Sequence, residues 1–94
     1  MKVRFNRGAL SDIVEITEYI GERIPDAAAG LLDRFESVAS LIGQDPEIGP
    51  KTNHMNLRKF VVGNYLMIYE IAADEIIVHY VRHAARRRPW EGEL

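Results

Sequence analysis

The spacing of hydrophobic residues changes along this chain, and the change restricts the folds it can adopt. Residues 2–5 alternate polar and apolar side chains, which is typical of a short strand. From about Gly8 the apolar residues recur at helical spacing up to Pro25, and a second helical stripe covers residues 28–42. The first half of the chain is therefore predicted to be one strand followed by two amphipathic helices.

The connection between the two helices is predicted to be very short. Pro25 suits the first position of a second helix, because its missing N–H has no helical partner there. Helices joined so closely should pack side by side as an antiparallel hairpin. Gly30 predicts a close approach to the partner helix, and Gly43 is a candidate C-cap.

The second half of the chain has the pattern of an antiparallel meander. Residues 44–56 contain two prolines and read as a loop. Strands are predicted at 57–62, 65–71 and 75–82, joined by Gly63-Asn64 and by residues 72–74. The predicted fold class is α+β, with the helical hairpin on one sheet face and the N-terminal strand added to a sheet edge. A chain of 94 residues should form one small domain.

Composition narrows the class of protein further. Hydrophobic residues make up 47% and charged residues 28%, which is a globular composition, and cysteine is absent. No apolar run approaches the roughly 20 residues of a membrane span, and the N-terminus lacks the pattern of a signal peptide. We therefore expect a cytoplasmic protein that does not associate with membranes.

Charge is distributed unevenly, although the net charge is only −2. Residues 1–10 carry three cations and no acid, whereas residues 11–50 carry nine acids against two arginines. Residues 76–90 carry four arginines and no acid. If the two basic ends meet in space, they form a positive patch on a mildly acidic protein.

The residue pattern gives little support for metal or nucleophilic chemistry. The histidines are His54, His79 and His83, and four residues along a strand span about 13 Å, too far for His79 and His83 to share one ion. Neither a nucleophile elbow nor a phosphate-binding glycine loop is present. Acids on the first helix, Asp12 among them, are predicted to form its solvated face. We expect no metal and no cofactor.

The basic end at residues 82–90 is the most informative feature of the sequence. It is either a solubilising tail or a patch for phosphates or an acidic protein surface. Arginine offers planar, forked donors, and Trp90 could stack or anchor a partner.

Four sequence segments in this order resemble the RelE/ParE superfamily of bacterial toxins. The first helix carries Tyr19-Ile20, and the second ends in the Pro-x-x-Gly turn of residues 42–49. An arginine-containing strand and a hairpin lead to Ile68-Tyr69 within residues 57–69, and the chain then closes on a strand that runs into histidine and arginine residues within 78–86. The resemblance covers nearly the whole chain.

This resemblance implies a small toxin that is neutralised by a cognate antitoxin of the ribbon-helix-helix type. In this family the C-terminal segment of the antitoxin wraps the helical hairpin and the sheet, so a hetero-oligomer is implied. The residues that we predict to contact the antitoxin are Ile16, Tyr19, Ile20, Phe35 and Leu41.

The superfamily has two branches with different actions. RelE-like members are ribosome-dependent mRNA endonucleases with a metal-free cluster of lysine, arginine and often a C-terminal tyrosine, whereas ParE-like members poison DNA gyrase. Arg58 and Arg82 match positions where RelE-like toxins place arginines, but no tyrosine follows Tyr80. The loop before Arg58 has only Lys51 and His54 of the expected basic cluster. These departures favour the ParE-like branch.

The sequence therefore predicts a toxin that inhibits DNA gyrase by binding it. Predicted target-facing residues are Arg58, Arg82, His83, Arg86, Arg87, Arg88 and Trp90. One alternative is a ribosome-dependent endonuclease with Arg58 and Arg82 on the phosphate and His83 or His54 as acid or base. Another is an inactive family member that only binds its partner.

Overall fold

The computed structural model describes residues 1–84 and has the element order predicted from the periodicity. Its elements are strand β1 (Lys2–Phe5), helices α1 (Arg7–Arg23) and α2 (Pro25–Gln44), and strands β2 (Leu57–Val62), β3 (Tyr65–Ile71) and β4 (Glu75–His83). The α+β class is confirmed. Neither described helix has the length and apolarity that a membrane span requires.

The four strands form one mixed sheet in the order β1-β4-β3-β2. β4 is antiparallel to β3 and β3 to β2, as in a meander, while β1 lies parallel to β4 at the sheet edge. Lys2 is in register with Glu75 and Phe5 with Val78. The first and last strands are therefore neighbours, so the N-terminal cations Lys2 and Arg4 lie beside β4.

Local sequence signals explain where the elements begin and turn. Asn6 caps α1, because its side-chain oxygen accepts the N–H of Ala9 at 2.8 Å. Ile24 alone separates the two helices, and Pro25 begins α2 as predicted. Gly63 has a φ of 60° at the first position of the β2–β3 turn, as a type II′ hairpin requires.

The core lies between the helical hairpin and one face of the sheet. Its largest fully buried side chains include Phe35 and Ile42 of α2, Met67 and Tyr69 of β3, and Val78 of β4. Residues that alternate with these along β3 and β4 must point to the opposite sheet face. We call this second surface, which faces away from the helices, the distal sheet face.

The predicted helix contact at Gly30 and the predicted C-cap at Gly43 were both wrong. A Cβ on Gly30 would meet nothing within 4 Å, so no close helix contact occurs there. Gly43 is not the C-cap, because α2 continues to Gln44 and Asp45 occupies the cap position. A Cβ on Gly43 would lie 2.8 Å from the carbonyl oxygen of Met1, so the close approach is between α2 and the start of β1.

Asp12 corrects the prediction of a fully solvated acidic face on α1. Its Oδ2 accepts the backbone N–H of Val81 at 3.0 Å. This contact lies beside a β-bulge, because Ile68 is in register with Tyr80 but the next residue of β3 is in register with Val78. Helical periodicity could not reveal Asp12's partner, which is a backbone group 69 residues away.

Candidate functional site

Arg58, which was predicted to face the target, is bound to its own chain. Its side chain is only 13% exposed. The guanidinium donates to the carbonyl oxygen of Gly49 at 2.8 Å and to that of Glu47 at 3.4 Å, and Nη2 lies 3.9 Å from a Glu47 carboxylate oxygen. Arg58 therefore holds the turn that follows α2.

Tyr69 holds the same turn from the core. Its buried hydroxyl accepts the N–H of Gly49 at 2.9 Å and donates to the carbonyl oxygen of Pro46 at 2.7 Å. Burial raises the pKa of the Tyr69 phenol above its ordinary value of 10.0. We call the arrangement of Arg58, Tyr69 and the turn at residues 46–49 the turn clamp. It gives a physical reason for the Pro-x-x-Gly motif.

Replacing Tyr69 with phenylalanine tests the turn clamp. The substitution removes one hydroxyl and leaves a buried donor on Gly49 and an acceptor on Pro46 without that partner. We expect the free energy of unfolding to fall by about 1–3 kcal/mol. Urea denaturation followed by circular dichroism measures the change, and a loss below about 0.5 kcal/mol would contradict the role of the hydroxyl.

The raised pKa of Tyr69 predicts a pH dependence. Because the folded chain keeps the phenol neutral above the pH at which the unfolded chain ionises it, the stabilisation is complete below pH 10.0. It is lost as the pH rises through the pKa of the folded state. Wild type should lose stability above pH 10.0 more steeply than Tyr69→Phe, as measured by thermal melts from pH 8 to pH 11. Parallel losses would contradict the prediction.

Arg82 and His83 point to opposite faces of the sheet. Arg82 is 9% exposed, lies in register with Leu66 on the distal sheet face, and donates from Nη1 to the carbonyl oxygen of His83 at 2.8 Å. The ring of His83 instead packs edge-on against Tyr65 on the helix side, with centroids 5.4 Å apart. The structure therefore does not bring Arg58, Arg82 and His83 together.

His79 belongs to a hydrogen-bonded chain that the sequence did not reveal. The Asn6 side-chain oxygen is taken by the helix cap, so its Nδ2 is the donor to His79 Nδ1 at 3.1 Å. The proton of a neutral ring then sits on Nε2, which donates to Glu70 Oε1 at 2.8 Å. Both ring nitrogens are engaged, which fixes the orientation of the ring.

The three histidines within residues 1–84 lie in two parts of the fold. His79 and His83 lie on β4 as predicted, and no group of three histidine or acidic side chains within these residues could hold an ion. His54 lies in the loop before β2, where its backbone N–H donates to the hydroxyl of Thr52.

Cations from both ends of the described chain lie on the distal sheet face. Register and strand alternation place Lys2 and Arg4 of β1, Lys59 of β2 and Arg82 of β4 there. The Arg4 guanidinium is paired with Glu75 at 2.9 Å, so part of this positive charge is neutralised. The predicted residues Arg86, Arg87, Arg88 and Trp90 lie outside the described residues.

The five residues predicted to contact an antitoxin differ in exposure. Tyr19 is 53% exposed, with the Arg23 guanidinium 3.6 Å above its ring, and Leu41 is 40% exposed. Ile16 and Ile20 are half-buried. Phe35 is 1% exposed and lies in the core, where its ring packs edge-on against that of Tyr65.

Other apolar side chains on the helical hairpin are exposed but were not predicted to bind. Leu10 is 53% and Val14 52% exposed on α1, Ile24 is 60% exposed between the helices, and Leu32 is 40% exposed on α2. Leu10 and Val14 lie one helical turn apart and form a continuous strip. Their place in the apolar stripe was visible in the sequence, and only the fold shows that the sheet does not cover them.

The family model for the ParE toxin of the type II toxin–antitoxin system parDE matches residues 3–88. The chain belongs to this toxin family. The ParE-family chain is also 32% identical over 78 residues to "Toxin RelE2" from Caulobacter vibrioides, covering 83% of this chain and 89% of that protein.

Solved structures share the fold of the ParE-family chain. The chromosomal ParDE toxin–antitoxin system from P. aeruginosa superposes with a TM-score of 0.78 at 15% identity, covering 88% of this chain and 95% of that chain. The RelBE2 toxin–antitoxin complex from Mycobacterium tuberculosis gives a TM-score of 0.60 at 18% identity, covering 87% and 95%. At these identities the likeness concerns the fold alone.

Proposed function

We propose that this ParE-family toxin arrests growth by binding DNA gyrase and that a cognate antitoxin neutralises it. The observation that carries the choice of mechanism is the engagement of Arg58 with the carbonyl groups of its own turn. A nuclease centre needs a cation and an acid–base group that converge on one phosphate. Arg82 and His83 point to opposite sheet faces, which supports an action by binding.

The proposed gyrase-facing element is the basic C-terminal end of the chain. Arg82 leads into it from β4, and Arg86, Arg87, Arg88 and Trp90 follow in the sequence. Forked arginine donors suit an acidic protein surface, and a tryptophan supplies an apolar anchor. Within the described residues, Arg58 holds the turn at residues 46–49 and His83 packs against Tyr65, so in our proposal neither contacts the target.

The proposed antitoxin surface has an apolar part on the helical hairpin. Five apolar or aromatic side chains on the two helices are each at least 40% exposed: Leu10, Val14 and Tyr19 of α1, and Leu32 and Leu41 of α2. Exposed apolar side chains in such number on two adjacent helices are typical of a partner surface. An amphipathic antitoxin helix would bury them.

The outer edge of β1 is the second proposed part of that surface. The N–H of Asn6 donates to the carbonyl oxygen of Val78 at 3.0 Å, so by alternation the backbone groups of Val3 and Phe5 point away from β4. A groove of about 370 Å³ adjoins this edge and is lined by Met1, Val3, Ala39, Ser40, Gly43 and Gln44. An extended antitoxin segment could add to the sheet there and place an apolar side chain in the groove.

A second candidate function is ribosome-dependent cleavage of mRNA. The 32% identity to a protein named Toxin RelE2 is the observation that favours it. In this alternative the phosphate would meet the cations of the distal sheet face, Lys59 and Arg82 among them, since these share one surface.

Induced expression with and without the antitoxin tests the proposal. We expect growth arrest that co-expression of the antitoxin relieves. Toeprinting of mRNA on translating ribosomes treated with the purified chain should show no discrete cuts, and supercoiling by purified gyrase should fall. Discrete cuts with unimpaired supercoiling would select the endonuclease alternative, and unaffected growth would indicate an inactive member of the family.

A further inference from the structure

We propose that the loop at residues 50–56 is a preformed docking element whose Met55 side chain enters an apolar pocket on an acidic protein, the cellular target of the toxin. This inference rests on the proposed function as a toxin that acts by binding. It adds a contact site on a different part of the chain from the basic C-terminal end.

Met55 has a backbone conformation that is unfavourable for residues with a Cβ atom. Its φ is 52°, and within residues 1–84 it is the one non-glycine residue with a positive φ. In this region the Cβ crowds the following carbonyl oxygen, and asparagine or glycine is the usual occupant. Strain of this kind persists only where the surrounding structure enforces it, and it is concentrated at functional sites.

A network around Thr52 enforces the strained conformation. The Thr52 hydroxyl lies 3.1 Å from the carbonyl oxygen of Leu57 and 3.2 Å from that of His54, and it accepts the N–H of His54 at 3.1 Å. The backbone N–H of Thr52 also donates to the carbonyl oxygen of Leu57, and the backbone N–H of Leu57 donates to the carbonyl oxygen of His54. The turn clamp anchors the start of the same loop through Gly49. The tip is therefore fixed before any partner binds.

The rigid tip presents an apolar side chain to solvent. Met55 is 83% exposed, more than any other large hydrophobic residue within the described part of the chain. A thioether side chain gains free energy when a partner buries it, and it adapts to irregular pockets. Because the loop is already ordered, binding would cost little conformational entropy.

The charge around the tip indicates an acidic partner. No acidic residue occurs from position 48 to position 69, while Lys51 and Lys59 do. The Arg58 guanidinium is 13% exposed and lies 3.9 Å from a Glu47 carboxylate oxygen, so it adds little to the charge around the tip. Lys51 is exposed and lies four residues before Met55. A single-stranded nucleic acid would be met by aromatic or arginine stacking at such a tip, which an aliphatic thioether does not supply. An exposed apolar side chain with a lysine nearby therefore favours a partner protein that has an apolar pocket bordered by acidic residues.

Met55→Gly removes the side chain and relieves the strained φ in one change. With expression levels matched, we expect growth inhibition to require about tenfold more toxin, the loss typical of an interface anchor. The thermal unfolding midpoint of the purified chain should not fall, and the dissociation constant for the antitoxin should change by less than about twofold. Met55→Leu keeps an apolar side chain of similar volume, so it should be more toxic than Met55→Gly.

The outcomes separate this inference from the proposed function. If the wild-type chain fails to arrest growth, the proposed function is wrong. If wild type arrests growth and Met55→Gly is equally potent, or is weaker only because its unfolding midpoint drops, the docking role of Met55 is overturned. If Lys51→Glu abolishes toxicity while Met55→Gly does not, and the chain binds a labelled single-stranded RNA with steep salt dependence, the partner is a nucleic acid and the inference is also overturned.

Discussion

Gly49→Ala is expected to lower the free energy of unfolding by about 3 kcal/mol or more. A Cβ at this position would lie 2.5 Å from the carbonyl oxygen of Lys59 and 2.8 Å from the Tyr69 hydroxyl. The first atom is backbone of β2 and the second belongs to a buried side chain, so neither can move without breaking the turn clamp. For a chain of this size the thermal midpoint should fall by about 12 °C or more.

Gly30→Ala is the matched control for that experiment. The same added methyl group meets nothing within 4 Å at this position in α2, and alanine favours a helix over glycine. We expect this variant to be more stable than wild type by up to about 1 kcal/mol. Calorimetry on both proteins compares the effects, and equal melting points for the two variants would contradict the packing around Gly49.

The double change Leu10→Glu with Val14→Glu is expected to weaken antitoxin binding by about 100-fold or more. Both side chains are about half exposed, so the free toxin should lose no more than about 0.5 kcal/mol of stability. In a complex, two carboxylates would face an apolar antitoxin surface without partners. The variant should remain toxic, and co-expressed antitoxin should no longer rescue growth.

Isothermal titration of the antitoxin into the purified variant measures the affinity. Ala73→Glu, in the turn between β3 and β4, is the control because it adds one glutamate at an exposed position far from α1 in the sequence. An affinity for the double variant within about threefold of wild type would show that the antitoxin does not use this strip.

The elements that could be predicted from the sequence are those fixed by local signals. Alternation defines β1, Pro25 separates the helices, and Gly63-Asn64 closes a hairpin whose positive φ a glycine supplies. The limits of β2 and β3 were predicted to the residue, and β4 ends one residue later than expected. Each of these signals acts between residues close in the chain, so one sequence is enough to read it.

The candidate site depends on contacts that no local pattern encodes. Arg58 and Tyr69 meet Gly49 across 9 and 20 residues of chain, and the residues next to them in the sequence give no sign of that contact. A bulge at His79 shifts the register of β4, which places Arg82 and His83 on faces that strand alternation alone could not assign. An arginine that donates to carbonyl groups and one that faces a target look identical in sequence.

The proposed antitoxin surface shows a second limit of prediction from the sequence. Helical periodicity identified an apolar stripe on α1, but this stripe is wider than the part that the sheet covers. Ile13 and Ile16 pack against the core, whereas Leu10 and Val14 remain half exposed. Which edge of a wide stripe stays open depends on how the helix is rotated over the sheet, and that is a property of the assembled fold.

Supercoiling of relaxed plasmid by purified DNA gyrase, titrated with the purified toxin, tests the central claim most directly. We predict inhibition that increases with toxin concentration, with cleaved plasmid trapped by the enzyme, and recovery of supercoiling when the antitoxin is added first. Undiminished supercoiling at toxin concentrations well above those of gyrase would contradict the claim.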